Sequence, residues 1–297
     1  MKHVLGVIGV GLMGRPIAEN LKKDGFEVYV YDKNEQVLEE LKKEDLLVAK
    51  NPKELMENAD VVLDILNDTN SLRKVMEQQE GLLEGIKGRK IVIDMTTSDP
   101  EKSKVIGAEL KELGIEYLDC PMTGGMTGAQ NRELVIMAGG APEVFEEVKY
   151  ILDGISKALI YLGKSGSGHY MKLIHNQLSH STFLAACEAF NLGRELGIDE
   201  KAMIDVFNIG NARSYATEVR FPKFILSGTY KAGASFYTVG KDISLVAKKA
   251  NELNYDLPIT RATFDYWRYA IETGKGEDDY STIVNLMEEK HQQRNPK

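Results

Sequence analysis

The sequence predicts an α/β chain: an open, mostly parallel sheet with helices on both faces, then an all-α part joined to it by one long helix. Three observations carry that reading. The first half alternates short β-rich runs with amphipathic stretches, the pattern of strand–helix–strand units. A glycine cluster, Gly9-Val10-Gly11-Leu12-Met13-Gly14, separates the apolar run Val4-Leu5-Gly6-Val7-Ile8 from a helical pattern. Past Gly163-Lys164-Ser165-Gly166-Ser167-Gly168, candidate strands become few and helical stretches long. The expected domains are residues 1–163 and 164–297.

Residues 4–8 read as the first strand. A helix is expected at 15–23, where Ile17, Ala18 and Leu21 recur at helical spacing and Gly25 stands at the C-cap. Residues 26–31 read as the second strand, which delivers Asp32 to its C-terminal end. Further strands are expected at 59–66, 90–95, 116–119 and 133–138. The first three of these end in polar tips: Asn67-Asp68-Thr69, Thr96-Thr97-Ser98-Asp99-Pro100 and Pro121-Met122-Thr123-Gly124-Gly125. Open sheets of this kind bind ligands outside the carboxyl ends of their strands, so chemistry is expected at these tips. Residues 170–196 contain no Pro and no Gly before Gly193, about twice the usual helix length, and read as a spine between domains. Helices follow at 201–209, 215–226, 241–253, 258–273 and 278–292, and a frayed polar tail at 291–297.

Composition narrows the function. At 297 residues the chain exceeds one small core, and 43% hydrophobic with 28% charged residues is ordinary for a globular enzyme. A net charge of -8 argues against nucleic acid, which needs clustered Lys and Arg. No apolar run approaches the roughly 20 residues of a membrane span, and with the first strand starting at residue 4 no signal peptide is expected. Cys120 and Cys187 cannot form a framework, so the expected location is the cytoplasm.

A bare G-x-G-x-x-G is a weak signal; the strand before it, the helix after it and the acid at the right distance make it specific. All three are present, the signature of a Rossmann-type dinucleotide site. Gly9 permits the tight turn, Gly11 lets backbone approach a pyrophosphate, and Gly14 lets the helix pack against the strand. With Leu12 and Met13 they form the expected cofactor loop. Asp32 can bond both ribose hydroxyls of NAD and repel the 2′-phosphate of NADP, an exclusion that Lys33 weakens.

Lys172 and Asn176 share a helix face, where a lysine could exchange a proton with a carbonyl or hydroxyl while the amide fixes the substrate. A helix lysine alone is ordinarily solvated, but apolar Met171, Leu173 and Ile174 flank this one, and desolvation is expected to lower its pKa. Thr123, Gly124 and Gly125 offer backbone N–H groups and a hydroxyl suited to a carboxylate, or form a plain turn. Lys241-Asp242 opens a predicted helix, where an ion pair or a dipole complement explains it equally well. His169, His175 and His180 lack the i, i+4 spacing and the acid of a zinc site, so no metal is expected. Cys187 reads as packing, and Cys120 has no evident base partner.

Four ordered blocks resemble the β-hydroxyacid dehydrogenase family, which includes 3-hydroxyisobutyrate dehydrogenase-like enzymes. They are Gly9 to Gly14 with Asp32; Asp119-Cys120-Pro121-Met122-Thr123-Gly124-Gly125 with Gly128-Ala129; Gly168 through Lys172 to Asn176; and Lys241-Asp242. The resemblance covers nearly the whole chain. It implies that Lys172 is the catalytic acid/base, that Thr123, Gly124 and Gly125 anchor a substrate carboxylate, and that Asn176 orients the substrate. Lys241 would close over nicotinamide and substrate, and Leu66, Asn67 and Thr97 would line the cofactor. The implied reaction is hydride transfer between NAD and a small β-hydroxy acid. The rival reading is semialdehyde reduction at the same site; a non-catalytic dinucleotide-binding regulator is less favoured. The resemblance also points to a homodimer or homotetramer through the C-terminal domain.

The chain departs from the family in three places. Thr123 replaces Ser, Asn67 replaces Pro, and Arg132-Glu133-Leu134 replaces Gly-Thr-Leu. Arg132 is then either a substrate cation or a surface charge. Arg213, in a segment similar to that of 2-(hydroxymethyl)glutarate dehydrogenase, suits a second carboxylate or a sulfonate, or caps helix carbonyls.

Overall fold

Strand β1 (Leu5–Ile8) is buried along its whole length, because it has a parallel partner on each side. The computed structural model describes residues 3–44 and 46–294. From β1 the chain passes through α1 (Gly14–Lys23), β2 (Val28–Tyr31), α2 (Glu35–Leu41), β3 (Leu47–Val48) and α3 (Pro52–Asn58). It continues through β4 (Val61–Asp64), α4 (Thr69–Glu77), β5 (Lys90–Asp94), α5 (Pro100–Glu112) and β6 (Ile115–Asp119). These six strands are parallel, in the order β3-β2-β1-β4-β5-β6. Then come β7 (Met122–Thr123), α6 (Gly125–Gln130), β8 (Leu134–Gly140), α7 (Pro142–Asp153) and β9 (Ser156–Tyr161). β8 runs antiparallel to both β6 and β7, and β9 is parallel to β8.

The helices start where the sequence supplies caps. Asn34, Asn51, Asp68 and Asp99 each accept a backbone N–H from the first turn of α2, α3, α4 and α5, and such caps contribute about 1 kcal/mol each. Strand alternation then divides the core between the two faces of the sheet. Val61, Leu63, Ile91 and Ile93 pack with Ile17 and Leu21 of α1, whereas Val62 and Val92 pack with Leu55, Leu72 and Ile106.

The contacts divide the chain into two units at Lys172 and Leu173. α8 (Ser167–Glu195), 29 residues long, begins in the first unit. The second unit adds α9 (Glu200–Ile209), α10 (Phe236–Glu252), α11 (Pro258–Ala270) and α12 (Ile283–Arg294). Its core is aromatic: Phe183, Phe190, Phe221, Phe236 and Trp267 are all buried.

Several elements differ from the sequence expectation. The segment expected as a helix at 215–226 is a π-helix, Ala216–Ile225, in which Leu226 donates back to the Phe221 carbonyl; Pro222 has no N–H for a regular ladder. α10 starts before Lys241 because Ser235 caps Thr238, so Lys241 and Asp242 lie within the helix and do not open it. After Gly124, where a plain turn was one of two readings, the chain forms α6. Residues 291–294 continue α12 and are not frayed, while 295–297 lie outside the described residues.

Candidate active site

The glycine loop leaves no room for a side chain at Gly9 or Gly14. Gly9 adopts φ +86, and a Cβ there would lie 2.7 Å from the Ile65 carbonyl oxygen. A Cβ on Gly14 would overlap the Gly9 carbonyl, while Gly11 faces open space. α1 opens with no acidic residue in its first turn and no side-chain cap, which leaves the positive end of the helix for an anion. Leu12 is exposed and Met13 packs against the core. Asp32 accepts N–H bonds from Val10 at 3.0 Å and from Asn34 at 2.9 Å, so its carboxylate is tied to the loop. These residues fit a dinucleotide. Leu66 is half-buried, Asn67 exposed and Thr97 half-buried at the ends of β4 and β5.

Asp64, Asp94 and Asp119 end β4, β5 and β6 in direct register, and all three are fully buried. Each ties down a backbone segment. Asp64 accepts the Leu66 N–H at 3.1 Å and Asp94 the Thr96 N–H at 2.9 Å. Asp119 accepts those of Gly166 at 2.7 Å and His169 at 3.0 Å. Tyr117 donates its hydroxyl to Asp94 at 2.7 Å. Burial, reinforced by Asp94, pushes the Asp64 carboxyl well above the usual range; burial also raises Asp119, against the opposing pull of His169 and the two amides. His169 Nε2 lies 3.1 Å from the Thr96 carbonyl oxygen, so that nitrogen carries the proton. Sequence reasoning missed this row, although an Asp closing three apolar runs was visible.

That row holds the start of α8. A Cβ on Gly168 would overlap the carbonyl oxygens of Asp119 and Met137, so the helix opens directly against β6 and β8. Lys172 follows one turn after His169 and is only 8% exposed. A further turn along α8, Asn176 donates its amide to Asp242 Oδ2 at 2.7 Å, and Asp242 Oδ1 is 3.7 Å from Lys241 Nζ. The second unit thus joins Asn176, Asp242 and Lys241. The sequence pairs Asp242 with Lys241 but does not mark it as a partner of Asn176.

Thr123 pairs with Val135 in β8, and Gly124 and Gly125 adopt φ +131 and +62 with exposed backbone. Arg213 is exposed, with Nε 3.5 Å from Glu218 Oε1. The buried arginine of that region is Arg220, which donates to the carbonyl and hydroxyl of Ser179. Of the two readings the sequence allowed, Arg132 stands nearer the surface charge: it is partly exposed and binds Asp24 and the carbonyls of Gly154 and Asn20. Burial raises the thiols of Cys120 and Cys187, which fits packing. Among the described residues, no group of three or more His, Cys, Asp or Glu could hold a metal ion.

Residues 4–163 match the family described as the NAD binding domain of 6-phosphogluconate dehydrogenase, and residues 166–287 the NAD-binding family of NADP-dependent 3-hydroxyisobutyrate dehydrogenase. The chain belongs to the β-hydroxyacid dehydrogenase family. As a β-hydroxyacid dehydrogenase it is an NAD(P)-dependent oxidoreductase. It is 29% identical to 2-(hydroxymethyl)glutarate dehydrogenase of Eubacterium barkeri over 285 residues, 96% of this chain and 95% of that one. It is also 29% identical to L-threonate dehydrogenase of Cupriavidus necator, covering 97% of each chain. Among solved β-hydroxyacid dehydrogenase structures, 3-hydroxyisobutyrate dehydrogenase from Salmonella typhimurium superposes with a TM-score of 0.86 at 26% identity, covering 96% of this chain and 100% of that one. No described helix is long and apolar enough to cross a membrane.

Proposed function

We propose that the chain interconverts a small β-hydroxy acid and its carbonyl form, with Lys172 as the group that takes and returns the hydroxyl proton. The observation that carries this reading is a lysine buried one turn into a helix whose start is fastened to the ends of β5 and β6. A lysine so placed is held in position and shielded from water, as general acid–base catalysis requires. When bound, the nicotinamide supplies the hydride exchange.

Thr123, Gly124 and Gly125 receive the substrate carboxylate through exposed N–H groups and a hydroxyl. Asn176, its amide nitrogen donating to Asp242 and its oxygen 3.1 Å from His175 Nδ1, orients the substrate. Lys241, 3.7 Å from Asp242, is read as the second unit's cation for the reaction. Gly9, Gly11, Leu12, Met13 and Gly14 cradle the pyrophosphate, Leu66, Asn67 and Thr97 line the cofactor, and Asp32 favours NAD over NADP. Arg213, exposed and 3.5 Å from Glu218, is read as the cation for the distal acid of a diacid substrate. The domains are read as 1–163 for the cofactor and 164–297 for substrate and assembly. Exposed Leu178, Leu192, Val206 and Ile209 favour a homodimer or homotetramer through the C-terminal domain. Two buried, unpaired cysteines fit a reducing cytoplasm.

The test is a panel of hydroxy monoacids and diacids with NAD, and of semialdehydes with NADH, on wild type, Lys172→Ala and Arg213→Ala. Lys172→Ala should lose about a thousandfold in turnover with NAD affinity unchanged. Arg213→Ala should lose diacid preference alone. Unchanged turnover in Lys172→Ala removes that residue from the chemistry.

A further inference from the structure

Arg132 stands where the chain turns from α6 into β8, with its backbone in the left-handed region at φ +60. Glycine sits there without strain and arginine does not. Its side chain accounts for its presence. Nη1 lies 2.7 and 2.8 Å from the two oxygens of Asp24 and 3.2 Å from the Gly154 carbonyl, and Nη2 donates to the Asn20 carbonyl at 3.1 Å. Asn20 lies near the end of α1, and Gly154 is the C-cap of α7. One cation therefore serves the negative ends of two helices.

Asn20 makes a second connection. Its buried amide donates to the carbonyls of Ala129 and Gln130 at 2.9 and 3.3 Å, at the end of α6. α1 begins at the glycine loop, and α6 follows directly from Thr123 and Gly124. The strand at the other end of this segment, β7, is two residues long and, among the described residues, pairs with β8 through Met122 with Ile136 and Thr123 with Val135. Those two register pairs are joined by backbone bonds from Met137 to Pro121 at 3.0 Å and from Glu133 to Gly128 at 2.8 Å, all of them to β8 or the turn that leads into it. The contacts of Arg132 and Asn20 fasten its far end to α1 and α7 instead.

We propose that Arg132, with Asp24 and Asn20, is a positioning clamp that fixes the segment holding the substrate carboxylate relative to the cofactor loop, without touching either ligand. The inference rests on the proposed role of Thr123, Gly124 and Gly125. Arg132→Gly removes the side chain and leaves a residue suited to φ +60.

For the hydroxy acid that wild type turns over fastest in the panel, Arg132→Gly should lower kcat/KM by roughly tenfold to a hundredfold, chiefly through KM. NAD affinity, measured by fluorescence titration, should stay within about twofold, because the glycine loop is unchanged. Arg132→Lys keeps the charge but not the fork and should recover part of the loss. Asp24→Asn should show a smaller loss of the same kind, and the double variant Arg132→Gly/Asp24→Asn should be no worse than Arg132→Gly alone. An unchanged KM and kcat in Arg132→Gly overturns the clamp, as does a parallel fall in NAD affinity, melting temperature and turnover. A wild-type protein that oxidises no panel member overturns the proposed reaction itself.

Discussion

The two units hold their polar groups in different ways. In the first, Asp64, Asp94 and Asp119 are placed by strand register, and glycines admit backbone against backbone where no side chain fits. In the second, Arg220 is held by the carbonyl and hydroxyl of Ser179 and by aromatic rings. It lies 5.2 Å from the ring centre of Phe183, 5.5 Å from that of Tyr215 and 5.4 Å from that of Tyr280. A backbone-built site is rigid and intolerant of a single added carbon. A packed aromatic site yields to added atoms and is sensitive to their removal.

Glycine variants test that contrast with the largest effect. Gly14→Ala puts a Cβ into the Gly9 carbonyl and should weaken NAD binding by roughly a hundredfold in a fluorescence titration. In the second unit, Gly193→Ala meets only the flexible thioether of Met203, so thermal stability should move by no more than about 1 kcal/mol. Equal tolerance at both positions would break the contrast.

Removing a side chain should reverse the ranking. Arg220→Ala leaves the Ser179 groups and three rings without their partner, and should cost about 2–4 kcal/mol in denaturant unfolding of the second unit. A loss below about 0.5 kcal/mol would mean the arginine only fills space.

The smallest effect concerns pH. Asp64 has its folded-state pKa raised by burial and by Asp94, so ionising it costs stability as pH rises from the ordinary carboxylate range through the raised value. Asp64→Asn keeps an acceptor for the Leu66 N–H and cannot ionise. It should gain about 1 kcal/mol over wild type at pH 8 and nothing at pH 4, read from melting curves at the two values. An identical gain at both would show that charge is not the cause.

The same contrast sets how much could be read from sequence. Buried central strands such as Val61-Val62-Leu63-Asp64 advertise themselves as apolar runs, and the cofactor loop as glycines. β3 and β7 were not legible because two residues carry no periodicity, and β9 because Ile160 and Tyr161 of its apolar run are exposed. The start of α10 was obscured by Tyr237, Thr238, Val239 and Gly240, weak helix formers that its packing and the Ser235 cap override. In the candidate site, spacing put Lys172 and Asn176 on one helix face, but only the family resemblance gave them roles. The bond from Asn176 to Asp242 was not legible, because it joins residues 66 apart.

The strand order also bears on how the chain is made. Counting from β1, every strand except β7 finds a neighbour that has already left the ribosome: β2 and β4 on β1, β3 on β2, β5 on β4, β6 on β5, β8 on β6 and β9 on β8. The sheet can therefore grow as it is synthesised, in keeping with domains folding N-terminal first. Asp119 is the exception that matters, since its carboxylate gains its two amides only when Gly166 and His169 emerge. Truncated nascent chains ending before and after that point should thus differ sharply in protease resistance, with the first turn of α8 acting as the latch.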